Sequence, residues 1–305
     1  MSLIESALQK LRRAGDPDAG PAEVPSRNDR ILAASPPRGV DSGAAAKMAP
    51  VHETVLPEPH RRLTVDFKAL RAAGYLPEEG LERRFADHYR QIKRPLIEKA
   101  LCGGPDARLI LVTSALPGDG KSFTSINLAL SMARERDVSV LLVDADAPRA
   151  HVSQVFGIRD QPGLLNALVD ESLEVETLVE YTDVRGLEIL PAGRFVENAT
   201  ELLASARMSQ LAARLGARSS RRLVVFDTAP LLVSSESRVM LRIPGQVVLV
   251  ARAGVTPRQA VIDALAHVDR TKLQGLILNQ ARFASGGGYY EYGYGAGRDE
   301  TAGEF

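Results

Sequence analysis

Three short runs of mostly apolar, β-branched residues recur along the chain, at 109–112 (LILV), 138–143 (VSVLLV) and 223–226 (LVVF). Runs this short and this apolar predict strands buried on both faces of a parallel sheet. Residues 246–251 read as a fourth strand, and 187–190 and 276–278 as shorter ones. Between them apolar positions return at helical spacing over 121–134, 163–169, 175–181, 199–205, 207–215 and 256–268. Strand and helix in alternation predict an α/β fold with a mostly parallel central sheet flanked by helices.

The pattern changes outside that core. Residues 1–13 place Leu3, Ile4, Ala7, Leu8 and Leu11 at helical spacing behind a Ser2/Glu5 capping box, which predicts a short amphipathic docking helix. Residues 14–60, rich in Ala, Pro, Gly, Ser and Asp and without a period, predict a disordered linker. An amphipathic helix is predicted over 81–101, with Phe85, Tyr89, Ile92, Leu96 and Ile97 on its apolar side and a kink or break at Pro95. On the same helix Asp87, Arg90 and Lys93 recur every three residues, close to one face. The folded domain is predicted over 61–283. A flexible tail, 284–305, follows it and carries Tyr289, Tyr290, Tyr292 and Tyr294 among glycines. An exposed aromatic cluster of that kind suggests hydroxyls that something must reach.

Composition narrows the setting. A chain of 305 residues with 45% hydrophobic content has core enough for one large domain, and zero formal net charge gives no reason to expect nucleic-acid binding. Cys102 stands alone, so no internal disulfide framework exists. No apolar run approaches the roughly 18 residues of a membrane span, which points to the cytoplasm.

The candidate chemistry sits where the first strand meets its helix. In the segment SALPGDGKSFT, Pro117, Gly118, Asp119 and Gly120 form a turn of little bulk, and Lys121, Ser122 and Phe123 open the helix. Backbone N–H groups of such a turn can point at an anion; Lys121 adds charge at the phosphates and Ser122 offers a hydroxyl to Mg²⁺. The usual pattern has a glycine where this chain has Ala115. The second strand runs into Asp144 and Asp146, the third into Asp227, placing carboxylates at strand ends where open α/β sheets bind ligands and Mg²⁺.

Together SALPGDGKS, LLVDADAPRA, VVFDTAP and the tyrosine cluster resemble the bacterial tyrosine autokinases of exopolysaccharide and capsule export. The opening MSLIESALQKLRRAG is similar to the exosortase-associated branch, whose kinase is a separate chain. The resemblance implies ATP and Mg²⁺ as cofactors. It implies catalytic roles for Lys121, Asp144, Asp146 and Asp227, with Asp144 the better candidate for base, and metal ligation by Ser122 and the three aspartates. It makes Tyr289, Tyr290, Tyr292 and Tyr294 acceptors phosphorylated in trans. Asp87, Arg90 and Lys93 stand where the family has Glu-x-x-Arg-x-x-Arg, a seam between protomers of a ring. It also implies a membrane chain-length-determinant (polysaccharide co-polymerase) partner that recruits the chain to the inner face of the plasma membrane. The alternatives are a partition-like spatial-organisation ATPase, whose signature lysine is replaced here by Leu116, and a non-catalytic assembly subunit of an export machine.

Overall fold

The computed structural model describes residues 62–281; the predicted N-terminal helix, the linker and the tyrosine tail lie outside the described residues. Two helices, α1 (Phe67–Ala72) and α2 (Glu82–Cys102), precede β1 (Leu109–Ser114), and α3 (Lys121–Met132) joins it to β2 (Ser139–Asp144). Then come α4 (His151–Val155), α5 (Leu164–Val169), β3 (Glu180–Tyr181), β4 (Leu187–Leu190), α6 (Ala199–Leu203), α7 (Ala206–Ala217) and β5 (Arg222–Asp227). The last elements are α8 (Ser235–Met240), β6 (Gln246–Arg252), α9 (Arg258–Ala266) and β7 (Leu273–Asn279).

The strands form one sheet in the order β3-β4-β2-β5-β1-β6-β7. All neighbours are parallel except β3, which runs antiparallel to β4. β1 and β5 are buried at every position, as their unbroken apolar runs require of strands covered on both faces. α3 closes over them with Ile126, Leu128, Ala129 and Met132 fully buried, and Leu96 and Ala100 of α2 join the same core.

Several elements depart from the pattern-based expectation. α2 runs through Pro95 without a break. Proline removes the bond to the carbonyl of Gln91, but both residues are exposed, so water can take that carbonyl. The helix predicted over 175–181 is a single 3-10 turn, Val175–Leu178, followed by β3; a two-residue strand has no period to read and is set by its pairing with β4. The last strand extends to Leu273–Asn279, and the one-turn helices α4 and α8 are too short to show a period.

Candidate active site

The register of the sheet assembles the site. β5 lies between β1 and β2, with Val112 paired to Asp227 and Asp144 paired to the same Asp227. Neighbouring strands about 4.8 Å apart thus carry two carboxylates at matched positions, at the strand ends from which the phosphate loop departs.

The loop depends on two glycines in the left-handed region, Gly118 at φ 85° and Gly120 at φ 94°. Gly120 caps α3 with no side chain to occupy the first-turn N–H groups, leaving those donors for an anion. A Cβ there would lie 1.9 Å from Nδ2 of Asn279, whose amide donates to the Asp119 carbonyl at 3.0 Å. Ala115 is fully buried and keeps an ordinary negative φ, so the loop has no need of glycine at that position. The Asp119 carboxylate accepts from the Leu116 N–H at 2.9 Å and from the Thr256 hydroxyl at 2.6 Å, tying the loop to the chain after β6.

Lys121 and Ser122 meet the carboxylates separately. The Lys121 ammonium donates to Asp146 at 2.7 Å, both groups being buried. The Ser122 hydroxyl donates to one oxygen of Asp227 at 2.7 Å, and Ser125, one helical turn after Lys121, donates to the other at 2.9 Å. Asp144 is turned toward α4, accepting from the Ser153 N–H and hydroxyl, each at 2.7 Å. The three aspartates therefore do not gather into one ligand cluster. Hard oxygen donors from Ser122 and Asp227, side by side, do fit a hydrated Mg²⁺, which takes one or two protein ligands beside phosphate and water.

Burial and like charge set the protonation. Burial first, and the Asp227 charge second, push Asp144 up to about 7, against the two bonds from Ser153. Burial likewise raises Asp227, moderated by the Lys121 charge and the Ser122 and Ser125 hydroxyls. For Lys121 burial acts downward, but Asp227 and Asp146 outweigh it and hold the ammonium above its usual range. The field reaches further: Tyr75 is raised by burial and then by Asp227, and His151 is lowered by burial and then by Lys121.

Sequence reasoning missed Ser125, Ser153 and the Asp119–Thr256–Asn279 tie. Ser125 was open to discovery, since KSFTS puts it on the turn that carries Lys121 and Ser122. The others are joined only by tertiary structure. The predicted seam residues separate: Asp87 and Arg90 are exposed and pair with each other, whereas Lys93 is buried, pairs with Glu135 at 2.6 Å and donates to the Ser131 carbonyl at 2.7 Å. Steps of three residues drift around a helix, by about 120° over the six from Asp87 to Lys93, which carries the lysine onto α3.

Fold, loop and carboxylates define a P-loop nucleotide-binding protein, and residues 107–274, more than half of the chain, match the family described as an AAA domain. The chain is 33% identical over 193 residues to the tyrosine-protein kinase YwqD of Bacillus subtilis, covering 62% of this chain and 78% of that one. It is 30% identical to the tyrosine-protein kinase wzc of Salmonella typhimurium over 61% of this chain but only 26% of the relative. The kinase domain of Escherichia coli tyrosine kinase ETK superposes with a TM-score of 0.61 at 26% identity, over 78% of this chain and 89% of that one. The VpsO kinase domain does so with a TM-score of 0.56 at 30% identity, over 67% and 100%. The chain belongs to the bacterial tyrosine-protein kinases.

Proposed function

We propose that this chain is an ATP-dependent tyrosine autokinase that transfers the γ-phosphoryl group to Tyr289, Tyr290, Tyr292 and Tyr294 of a neighbouring copy. The observation that carries this reading is the buried set in which Lys121 faces Asp146 while Ser122 and Ser125 hold Asp227. Phosphoryl transfer asks chiefly for positioning and neutralised charge. The loop N–H groups and Lys121 would hold the phosphates, and Lys121 would exchange its bond to Asp146 for the β- and γ-oxygens. Mg²⁺, when bound by Ser122 and Asp227, would screen the charge on those oxygens. The acceptor phenol oxygen forms a bond to Pγ as the bond from Pγ to the β–γ bridging oxygen breaks and ADP departs. The phenol proton passes to a carboxylate, assigned to Asp144, whose pKa of about 7 leaves a useful fraction ionised at neutral pH.

In this proposal residues 61–283 act as the kinase domain and 284–305 as its substrate tail. A membrane polysaccharide co-polymerase recruits the chain to the inner membrane face, where it regulates exopolysaccharide polymerisation and export. Among the described residues no helix is long and apolar enough to cross a membrane, which accords with recruitment by a partner. The test is incubation of the purified chain with γ-labelled ATP beside Lys121→Met. Labelled tyrosine is expected in the first and none in the second; equal labelling of both would refute the assignment.

A further inference from the structure

A pocket of about 350 Å³ opens beside the carboxylates, on the side of β2 away from β5. It lies between the loop after β2, which continues from Asp146 through Ala147 to Ala150, and the loop after β4, which brings Arg194 and Phe195; Arg159 and Asp160 also line it. β2 and β4 are parallel neighbours with Val143 paired to Leu190, so the two loops leave the same end of the sheet about 4.8 Å apart. Ser153 ties them together: the hydroxyl that donates to Asp144 accepts from the Ala192 N–H at 2.9 Å. Both walls are held by their backbone. Ala150 keeps a left-handed φ of 46° while its N–H donates to the Asp146 carbonyl at 2.7 Å, and the Asn166 side-chain oxygen accepts from the N–H groups of Gly163 and Arg194, each at 3.0 Å. The Arg159 and Arg194 side chains are exposed, and among the described residues neither guanidinium has a hydrogen bond or ion pair. They outnumber the one carboxylate of the pocket, Asp160. Guanidinium forks take a carboxylate through two parallel hydrogen bonds, so the pocket fits an acidic side chain arriving next to the phosphate loop.

We propose, on the kinase reading, that this pocket holds the Glu291 carboxylate of the acceptor segment 289–294 and so presents Tyr289 first to the phosphate loop. Charge selects the side chain: Glu291 is the only charged residue between 284 and 297. Spacing selects the tyrosine. In an extended segment alternate side chains share a face about 6.6–6.8 Å apart, more than one strand spacing, so a carboxylate held toward β4 puts the side chain two residues away over the end of β2, where Asp144 stands. The residues two away from Glu291 are Tyr289 and Gly293, whereas Tyr290 and Tyr292 would face the opposite side. Tyr289 alone combines a phenol with that spacing. The Phe195 ring, 54% exposed, gives the segment an apolar wall to lie against. The pocket reads the segment and not its source, so the same order applies to a tail from either copy.

The test uses the full chain with Tyr289, Tyr290, Tyr292 and Tyr294 changed to Phe and Glu291 changed to Gln, so that its own tail neither accepts label nor offers the carboxylate. With ADP bound, a fluorescent synthetic peptide of residues 284–305 should bind at least about tenfold tighter by anisotropy than the same peptide carrying Glu291→Gln. Arg159→Gln combined with Arg194→Gln, made at exposed positions and checked for an unchanged unfolding midpoint, should remove that advantage and leave the Kd for ADP as it was. With γ-labelled ATP and Mg²⁺, the first label on the native peptide should fall on Tyr289. The Glu291→Gln peptide should show a raised KM with little change in kcat, and its label should spread over the four tyrosines. Equal binding of both peptides, no binding of either, a preference that survives the arginine changes, or an ADP affinity that falls with them would each overturn the pocket assignment. First label on another tyrosine would overturn the choice of Tyr289. Peptide preference without any label from ATP would sink the kinase reading and leave the pocket standing, whereas label without preference would do the reverse.

Discussion

Gly120→Ala tests whether the loop is held in shape by its neighbours as well as by its own sequence. Alanine at φ 94° occupies a left-handed conformation that costs about 1–2 kcal/mol for a residue with a Cβ. The new methyl carbon would sit 1.9 Å from Asn279 Nδ2, so that amide must swing away and give up its bond to the Asp119 carbonyl, about 1 kcal/mol more. Together these predict a loss of about 2–3 kcal/mol in urea unfolding. Asn279→Ala alone should lose about 1 kcal/mol, and the double variant no more than Gly120→Ala alone, because the same hydrogen bond is lost only once. Nucleotide affinity, measured by equilibrium dialysis, should fall at least about tenfold in Gly120→Ala as the N–H cradle shifts. Strict additivity of the two changes would mean that Gly120 and Asn279 share no hydrogen bond, and a wild-type affinity for nucleotide would mean that the cradle does not depend on Gly120.

Asp144 predicts a pH dependence with a definite sign. Its folded pKa of about 7 exceeds the ordinary carboxylate value, so the stability it contributes is full below roughly pH 4 and lost as pH rises through 7; Asp227 shifts the same way. Asp144→Asn should flatten the fall in unfolding free energy over that window while retaining nucleotide binding and losing transfer; an unchanged slope contradicts the shift. Lys121→Met leaves Asp146 buried without its partner and should lower stability by about 3 kcal/mol in denaturant unfolding, whereas no loss would mean that the ion pair is immaterial. Arg90→Glu, on an exposed residue, should leave folding intact and lower the oligomer mass in light scattering if the proposed seam exists, whereas an unchanged mass would remove Arg90 from any seam. Lys93→Glu should instead destabilise the fold itself, by about 2 kcal/mol, because it puts a carboxylate in the buried Lys93 position, where it faces the Ser131 carbonyl and the half-exposed Glu135 carboxylate.

Much of the site could be read from local sequence because its parts are local. A buried strand, a turn with two glycines and Lys-Ser opening a helix occupy one continuous stretch, and Asp227 ends an apolar run whose partners are also strands. Strand order was not legible, and with it the pairing of Asp144 beside Asp227, whose charge adds to burial in raising Asp144. Contacts made across the fold were equally hidden. Asp119 was expected to act through its backbone, yet its side chain reaches Thr256 and its carbonyl takes the Asn279 amide, residues 137 and 160 positions away. The Lys93 position shows the opposite failure, in which a regular spacing suggested one face and the 3.6-residue turn of the helix carried the third residue off it.

Transfer from one copy to the tail of another can be seen by complementation in trans. Full-length Lys121→Met, with its tail intact, is mixed with full-length protein in which Tyr289, Tyr290, Tyr292 and Tyr294 are all changed to Phe but whose loop is intact. Neither alone should incorporate label from γ-labelled ATP into the tail. Mixed, they should place it on the four tail tyrosines of the Lys121→Met chain, as mapped by mass spectrometry. A mixture that stays unlabelled on those tyrosines while the wild type labels them would contradict transfer between copies. Absence of phosphotyrosine from the wild type as well would contradict the kinase assignment itself.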